Sequence, residues 1–191
     1  MANVINTENS PYNLQISQYA FPLPLAGYKC LGPLSNEKHP DNTYKNPQTG
    51  VLSEAYQRFV SPVINDNGGR DPPGFDVHVY FNPQNVTEKE FAYQLWERIR
   101  REFPELRTYR IWETPCGPHA AGMFEVNLIN PHQFGAFVSW IIINRGPLSA
   151  LVHPNTDDEI RDHIQSYTLI GSPPPLDMGI FRLRAEGGSI S

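Results

Sequence analysis

Four histidines lie in three short contexts between Phe75 and His163: Phe75-Asp-Val-His78-Val-Tyr-Phe81, Gly117-Pro-His119, and Leu151-Val-His153 followed by Asp158-Glu-Ile-Arg-Asp-His163. Neutral imidazole binds borderline divalent ions such as iron(II) and zinc, and two histidines with one carboxylate leave positions open for a substrate. Two donor sets would suffice here: His78, His119 and His153 together, or two of these with Glu125. Histidine is also common at surfaces and as a hydrogen-bonded core residue. The metal reading therefore depends on whether the surrounding elements bring these side chains to one place.

Strand parity does bring them together. Phe75, Val77, Val79 and Phe81 alternate with Asp76, His78 and Tyr80, the period of a half-buried strand, so His78 points away from the apolar face. Met123 to Leu128 repeats the pattern, with Phe124, Val126 and Leu128 on one face and Glu125 and Asn127 on the other. Another strand, Leu148 to His153, sets Ala150 and Val152 against Ser149, Leu151 and His153, and a further one is predicted over Leu106 to Glu113. Thr87-Glu-Lys-Glu90 reads as a capping box opening an amphipathic helix through Phe91, Ala92, Leu95, Trp96, Ile99 and Phe103, stopped by Pro104. Asn130-Pro131 opens a second helix through Phe134, Phe137, Val138, Ile141 and Ile142, which ends at Arg145-Gly146.

The order strand, helix, strand, strand, helix, strand predicts an α+β fold. It is a ferredoxin-like split βαβ sandwich, a four-stranded antiparallel sheet with two helices on one face. Its first and third strands are central and its fourth flanks the first. His78, Glu125 and His153 then meet on the open face, and His119 approaches from the loop between strands two and three.

Residues 1–73 are rich in Pro, Asn, Ser and Gly and show little periodicity, which predicts an extended arm with a short helix near Ser53 to Phe59. Its aromatic residues, Tyr12, Tyr19, Phe21, Tyr28 and Phe59, predict that the arm packs on the core. Residues 74–191 then carry the ferredoxin-like domain and a Pro-rich C-terminal extension, irregular from Gly171. In that extension Thr156-Asp-Asp-Glu159 reads as another capping box, starting a short helix that carries His163. Glu159, four residues before His163, could hold the imidazole in one tautomer for general acid/base work, or simply pair with it on the helix surface.

A chain of 191 residues with 39% hydrophobic and 12% aromatic content supports one principal domain. A formal net charge of −5 without any Lys/Arg cluster speaks against nucleic acid as a partner. No stretch approaches the roughly 20 apolar residues of a membrane span, and no secretory signature opens the chain, so a soluble, cytoplasmic protein is expected. Cys30 and Cys116 lack C-x-x-C spacing, so neither a disulfide framework nor a thiolate zinc site is expected. Cys116 reads as an ordinary semi-buried thiol despite its closeness to His119.

Arg110, Arg145 and Arg161 could each pair bidentately with a substrate carboxylate, although parity places none of them on the open face. Tyr80 and Asn127 share the face of His78 and could contact substrate or support the ligands. His39 and His132 receive no role. The open sheet face is available to the arm, a ligand or a second subunit, which makes a homodimer one expected arrangement.

The strings Phe75-Asp-Val-His78-Val-Tyr-Phe81, Gly117-Pro-His119, Met123-Phe-Glu-Val126, Asn144-Arg-Gly146, and Leu151-Val-His-Pro-Asn-Thr156 with Arg161-Asp-His163 resemble the DOPA 4,5-dioxygenase family of fungi and bacteria. The resemblance spans roughly residues 74 to 177 and departs at Ala120-Ala121, where many members carry a proline after the histidine. It implies a ferredoxin-like fold and a non-haem iron(II) extradiol dioxygenase that uses dioxygen to open a catechol ring, L-DOPA being the family's best-known substrate. The metal set then reads as His78, His119 and His153, with iron(II) as cofactor and zinc as an alternative occupant. The proton-transfer role falls to His163. Two other classes compete with this reading: a non-catalytic dimeric small-molecule binding protein, and a zinc-dependent hydrolase using the same ligands.

Overall fold

Strand β1 (Phe75–Phe81) is the middle of the sheet, and both its neighbours run antiparallel to it. The computed structural model describes residues 24–25, 32–66 and 73–173. Cys30, the aromatic residues Tyr12 to Tyr28 and the extension beyond Pro173 lie outside the described residues. Contacts divide the chain into two compact units between Leu52 and Ser53, inside the stretch read as an arm. In the first unit, Lys38 and Tyr44 form an isolated antiparallel bridge. The second unit contains everything that follows.

After β1 come helix α1 (Val86–Glu102), strand β2 (Arg107–Thr108), strand β3 (Gly122–Leu128), helix α2 (Pro131–Asn144), strand β4 (Ser149–Pro154), helix α3 (Glu159–Ile164) and strand β5 (Thr168–Ile170). The sheet order is β2-β3-β1-β4-β5, which is the ferredoxin-like arrangement with one strand more than the sequence predicts. β5 pairs with β4 through Ala150↔Ile170, Leu151↔Leu169 and Val152↔Thr168. β5 ends at Ile170, directly before the stretch expected to be irregular, of which residues 171–173 are described.

Parity holds through the core. Val77, Val79, Phe81, Phe124, Val126, Leu128, Ala150 and Val152 are buried against Ala92, Leu95 and Ile99 of α1 and Phe137 and Ile141 of α2. A second, smaller cluster on the opposite face joins Tyr80, Met123 and Leu151 to Trp112, Tyr167 and Leu169, so part of that face is covered by the chain itself. The expected helix near Ser53 to Phe59 is a short 3-10 turn, Glu54–Tyr56, capped by Ser53. Phe59 then stacks edge-on with Phe75 and Phe134.

Two helix starts differ from the sequence reading. At α1 the cap is Asn85, whose side chain accepts from Glu88 N at 3.2 Å, because an earlier residue with good capping chemistry precedes Thr87. At α3 the cap is Asp158, which accepts from Arg161 N at 2.9 Å. Thr156 instead ties its hydroxyl and main-chain N–H to the Asp162 carboxylate. α2 starts at Asn130-Pro131 as its sequence indicates.

The predicted second strand is regular only over Arg107–Thr108. Thr108 pairs with Val126 and Trp112 with Met123, so four steps on one strand face three on the other, and the extra residue makes a bulge. Trp96 of α1 donates its indole N–H to Tyr109 O at 2.7 Å within that bulge. Tyr109 and Trp112, three residues apart, would point to opposite faces of a regular strand; the bulge turns both toward the same pocket. Among the described residues no helix is long and apolar enough to cross a membrane.

Candidate metal centre

All four histidines converge on the open face of the sheet, each 4–5% exposed. β1 contributes His78 and β4 contributes His153, with the Nε2 atoms 3.0 Å apart. His119 comes from a tight hairpin in which Cys116 and His119 exchange main-chain hydrogen bonds of 3.0 and 3.1 Å. Gly117 adopts a φ of +57° there and Pro118 fixes the next φ, the residue order a two-residue turn of this kind needs. The His119 ring stacks on His78 with centroids 4.0 Å apart.

His163 does not stand apart on its helix. The Thr156–Asp162 link draws α3 against the end of β4, and the His163 ring centroid lies 4.1 Å from that of His153. Its Nδ1 lies 2.9 Å from the main-chain oxygen of Glu159, where the sequence suggested the Glu159 carboxylate. The i,i+4 spacing was the right one, but the acceptor is backbone.

Main-chain acceptors define the tautomer of two of the rings. A carbonyl only accepts, so the 2.8 Å contact of His153 Nδ1 with Pro154 O puts the hydrogen on Nδ1 and leaves Nε2 a bare lone pair in the neutral ring. The same holds for His163. His119 Nδ1 lies 2.7 Å from the Tyr80 hydroxyl, which can donate or accept. His78 is the exception, because its Nδ1 is buried without a hydrogen-bond partner.

Among the described residues, ligand atoms close enough to share an ion fall into two groups, His78/His119/His163 and Asp76/His78/His153. His78 belongs to both. Of the trio expected from the sequence, His119 falls in one group and His153 in the other, while Glu125 and Cys116 fall in neither. Asp76 was missed, although its parity matches His78 and it sits directly opposite both His153 and Asn127 in register. The donor set fits a divalent cation: bare or unpartnered imidazole nitrogens, held by outer partners and buried beside carboxylates, are what such an ion satisfies.

Burial governs the charge states. Desolvation, then the neighbouring His163, lowers His119 and His153 to about 3, and desolvation pushes His78 well below its ordinary value. Burial, then the Glu125 charge, raises Asp76 to about 7, and burial raises Glu125 and Tyr80 as well. Imidazoles that are neutral at neutral pH are ready to bind a metal.

The signs give a testable result for the metal-free protein. Between about pH 6.5 and 3 the unfolded chain binds protons that the folded histidines refuse, so their contribution to stability is lost as pH falls. Asp76, Glu125 and Asp162 work the other way, since each holds its proton more tightly when folded. As pH falls, the histidine contribution and the acid contribution to stability therefore oppose each other. Asp76→Asn removes the acid raised to about 7, so its urea midpoint in chelator should fall more steeply from pH 7.5 to pH 5 than the parent's, and an unchanged or shallower slope would contradict the assigned charge states.

The pocket over this cluster has a volume of about 740 Å³, with Ile64, Tyr109, Trp112, Met123 and Asn155 among its walls. Arg110, Arg145 and Arg161 do not line it. Arg110 lies over the Trp112 ring, Arg145 holds Leu148 O, and Arg161 holds Gln165.

Comparison with known proteins gives concordant results. A sequence model of the Dopa 4,5-dioxygenase family matches residues 75–180. An uncharacterized 21.2 kDa protein of Botryotinia fuckeliana is 52% identical over 174 residues, 87% of this chain and 93% of that protein. A DOPA 4,5-dioxygenase of Amanita muscaria is 32% identical over 151 residues, 76% of this chain and 64% of the Amanita protein. A crystal structure from Nostoc punctiforme, provisionally named a dioxygenase, superposes with a TM-score of 0.53 at 33% identity, over 58% of this chain and 92% of that one.

Proposed function

The chain belongs to the Dopa 4,5-dioxygenase family, and from that premise we propose that it is a non-haem iron(II) extradiol dioxygenase acting on a catechol such as L-DOPA. The observation that carries the reading is the buried cluster of four imidazoles beneath a pocket of about 740 Å³, two of them with the Nδ1 hydrogen on a main-chain oxygen and an unprotonated Nε2 in the neutral ring. The ion would be held by His78 with His119 and His163, or by His78 with Asp76 and His153. Iron(II) there supplies Lewis-acid activation of the catechol hydroxyls and access to dioxygen.

The chain's own residues account for the rest. Tyr109 and Trp112, turned inward by the bulge, offer flat walls for an aromatic ring. Either ligand set leaves one imidazole whose Nδ1 is fixed by a main-chain oxygen: His153 in the first, His163 in the second. Its bare Nε2 would accept a catechol proton and return it later. Met123, buried in the pocket wall, limits the water that could compete for that proton.

Anaerobic loading with iron(II), followed by L-DOPA and air, should give oxygen uptake and a yellow ring-opened product. Caffeate, protocatechuate and unsubstituted catechol in parallel would define the substrate class. Iron-loaded protein that consumes no oxygen with any of them would sink the proposal. A zinc-dependent hydrolase or a binding protein would then have to explain the cluster.

A further inference from the structure

We propose that Glu125 is the positioning residue for His78: when His78 Nε2 holds a metal ion, the ring carries its hydrogen on Nδ1 and Glu125 Oε2 accepts it. This rests on the reading that the cluster binds a metal. His153 commits its Nδ1 hydrogen to Pro154 O and so presents a lone pair to His78 Nε2 at 3.0 Å. Two lone pairs would repel at that distance, so the His78 hydrogen sits on Nε2 and bridges the rings. That arrangement leaves His78 Nδ1 buried and without a partner.

A cation at Nε2 needs the lone pair that this hydrogen occupies. The neutral ring then carries its hydrogen on the other nitrogen, one hydrogen leaving Nε2 and one being held at Nδ1, with no net change in protonation. The acceptor for it is already in place. Glu125 sits directly opposite His78 in the β1–β3 register, with Oε2 3.9 Å from His78 Nδ1. Its other oxygen, Oε1, accepts from Asn127 Nδ2 at 2.7 Å, and Asn127 also donates to Asp76 Oδ1 at 2.6 Å. One amide thus fixes the carboxylate so that Oε2 is the oxygen left for His78. Glu125, which sequence alone offers as a ligand, acts through a ligand instead, the outer carboxylate arrangement that orients metal-bound imidazoles.

Zinc, being diamagnetic, allows a direct test on protein carrying 15N-labelled histidine. The parent protein should show His78 protonated at Nε2 without zinc, and at Nδ1, with slow solvent exchange, once zinc is bound. Glu125→Gln keeps the volume but spends its one oxygen on Asn127 and turns an amide N–H toward His78. Its zinc dissociation constant should rise on the order of 10- to 100-fold, and any Nδ1 hydrogen should lose its protection.

Zinc-loaded parent protein with the His78 hydrogen still on Nε2 overturns the proposal, and that measurement needs no variant to fold. Zinc binding by Glu125→Gln within about twofold of the parent also overturns it, as does weaker binding with the Nδ1 hydrogen still protected. Failure of the parent to bind zinc overturns both this inference and the metal-dependent function. A tautomer shift in a protein that consumes no dioxygen supports the inference and removes only the dioxygenase reading.

Discussion

Replacing His78 by alanine is expected to remove bound metal and turnover together. His78 is the one residue shared by the two groups of ligand atoms, so its loss leaves neither complete. His153→Ala, by contrast, leaves His78, His119 and His163 intact, and His119→Ala or His163→Ala leaves Asp76, His78 and His153. A Lewis acid contributes several kcal/mol of charge stabilisation, and about 1.4 kcal/mol is a factor of ten in rate. The loss in His78→Ala is therefore on the order of a thousandfold, with iron content at background.

Metal analysis of the purified, reloaded variants checks this, with circular dichroism as the control for folding. Full iron occupancy in His78→Ala would remove it from the centre. The same measurement separates the two sets. If His163→Ala keeps its iron but loses turnover, the ion sits with Asp76 and His153 and His163 carries the proton. If His163→Ala loses the iron while His153→Ala keeps it, those roles are exchanged.

Strand directions were legible because β1, β3 and β4 alternate cleanly, and each has one face against the helices. A one-residue slip would have moved every core side chain to the other face. That alternation by itself places His78, Glu125 and His153 on a common surface. What parity could not supply was distance. Glu125 shares the face with His78, but its oxygen lies on the Nδ1 side, and the Asn127 amide that holds it there is a tertiary feature.

Asp76 was readable by the same alternation, since it shares the parity of His78. Its burial and its pairing opposite His153 are the signals that matter. His163 was the harder case. A six-residue helix has little preference of its own, and α3 lies where it does because Thr156 and Asp162 hold it. The bulge between Thr108 and Trp112 and the three-residue strand β5 have no periodicity long enough to read.

Gly74→Ala should be among the most destabilising single substitutions in this protein, although the residue touches no ligand candidate. Gly74 has a φ of +87°, the left-handed region that costs a residue bearing Cβ about 1–2 kcal/mol. A Cβ there would also collide with the main-chain oxygen of Leu128 and crowd the Phe59 ring at 2.9 Å. Neither can retreat easily. Leu128 O belongs to the central β1–β3 pair, and Phe59 is wedged against Phe75 and Phe134.

Gly74 also joins three segments, since its N–H donates to Ile64 O at 2.7 Å and its carbonyl accepts from Asn155 N at 2.8 Å. Overpacking adds about 1–3 kcal/mol, so a total of about 2–5 kcal/mol is expected, out of the 5–15 kcal/mol typical of a folded domain. Gly117→Ala isolates the backbone part, because Gly117 has a φ of +57° but nothing within 4 Å of an added Cβ. In urea unfolding followed by circular dichroism, Gly74→Ala should lose clearly more stability than Gly117→Ala. Equal losses would mean that Leu128 and Phe59 yield, and that the start of β1 is not what holds Ile64 and Asn155 in the pocket wall.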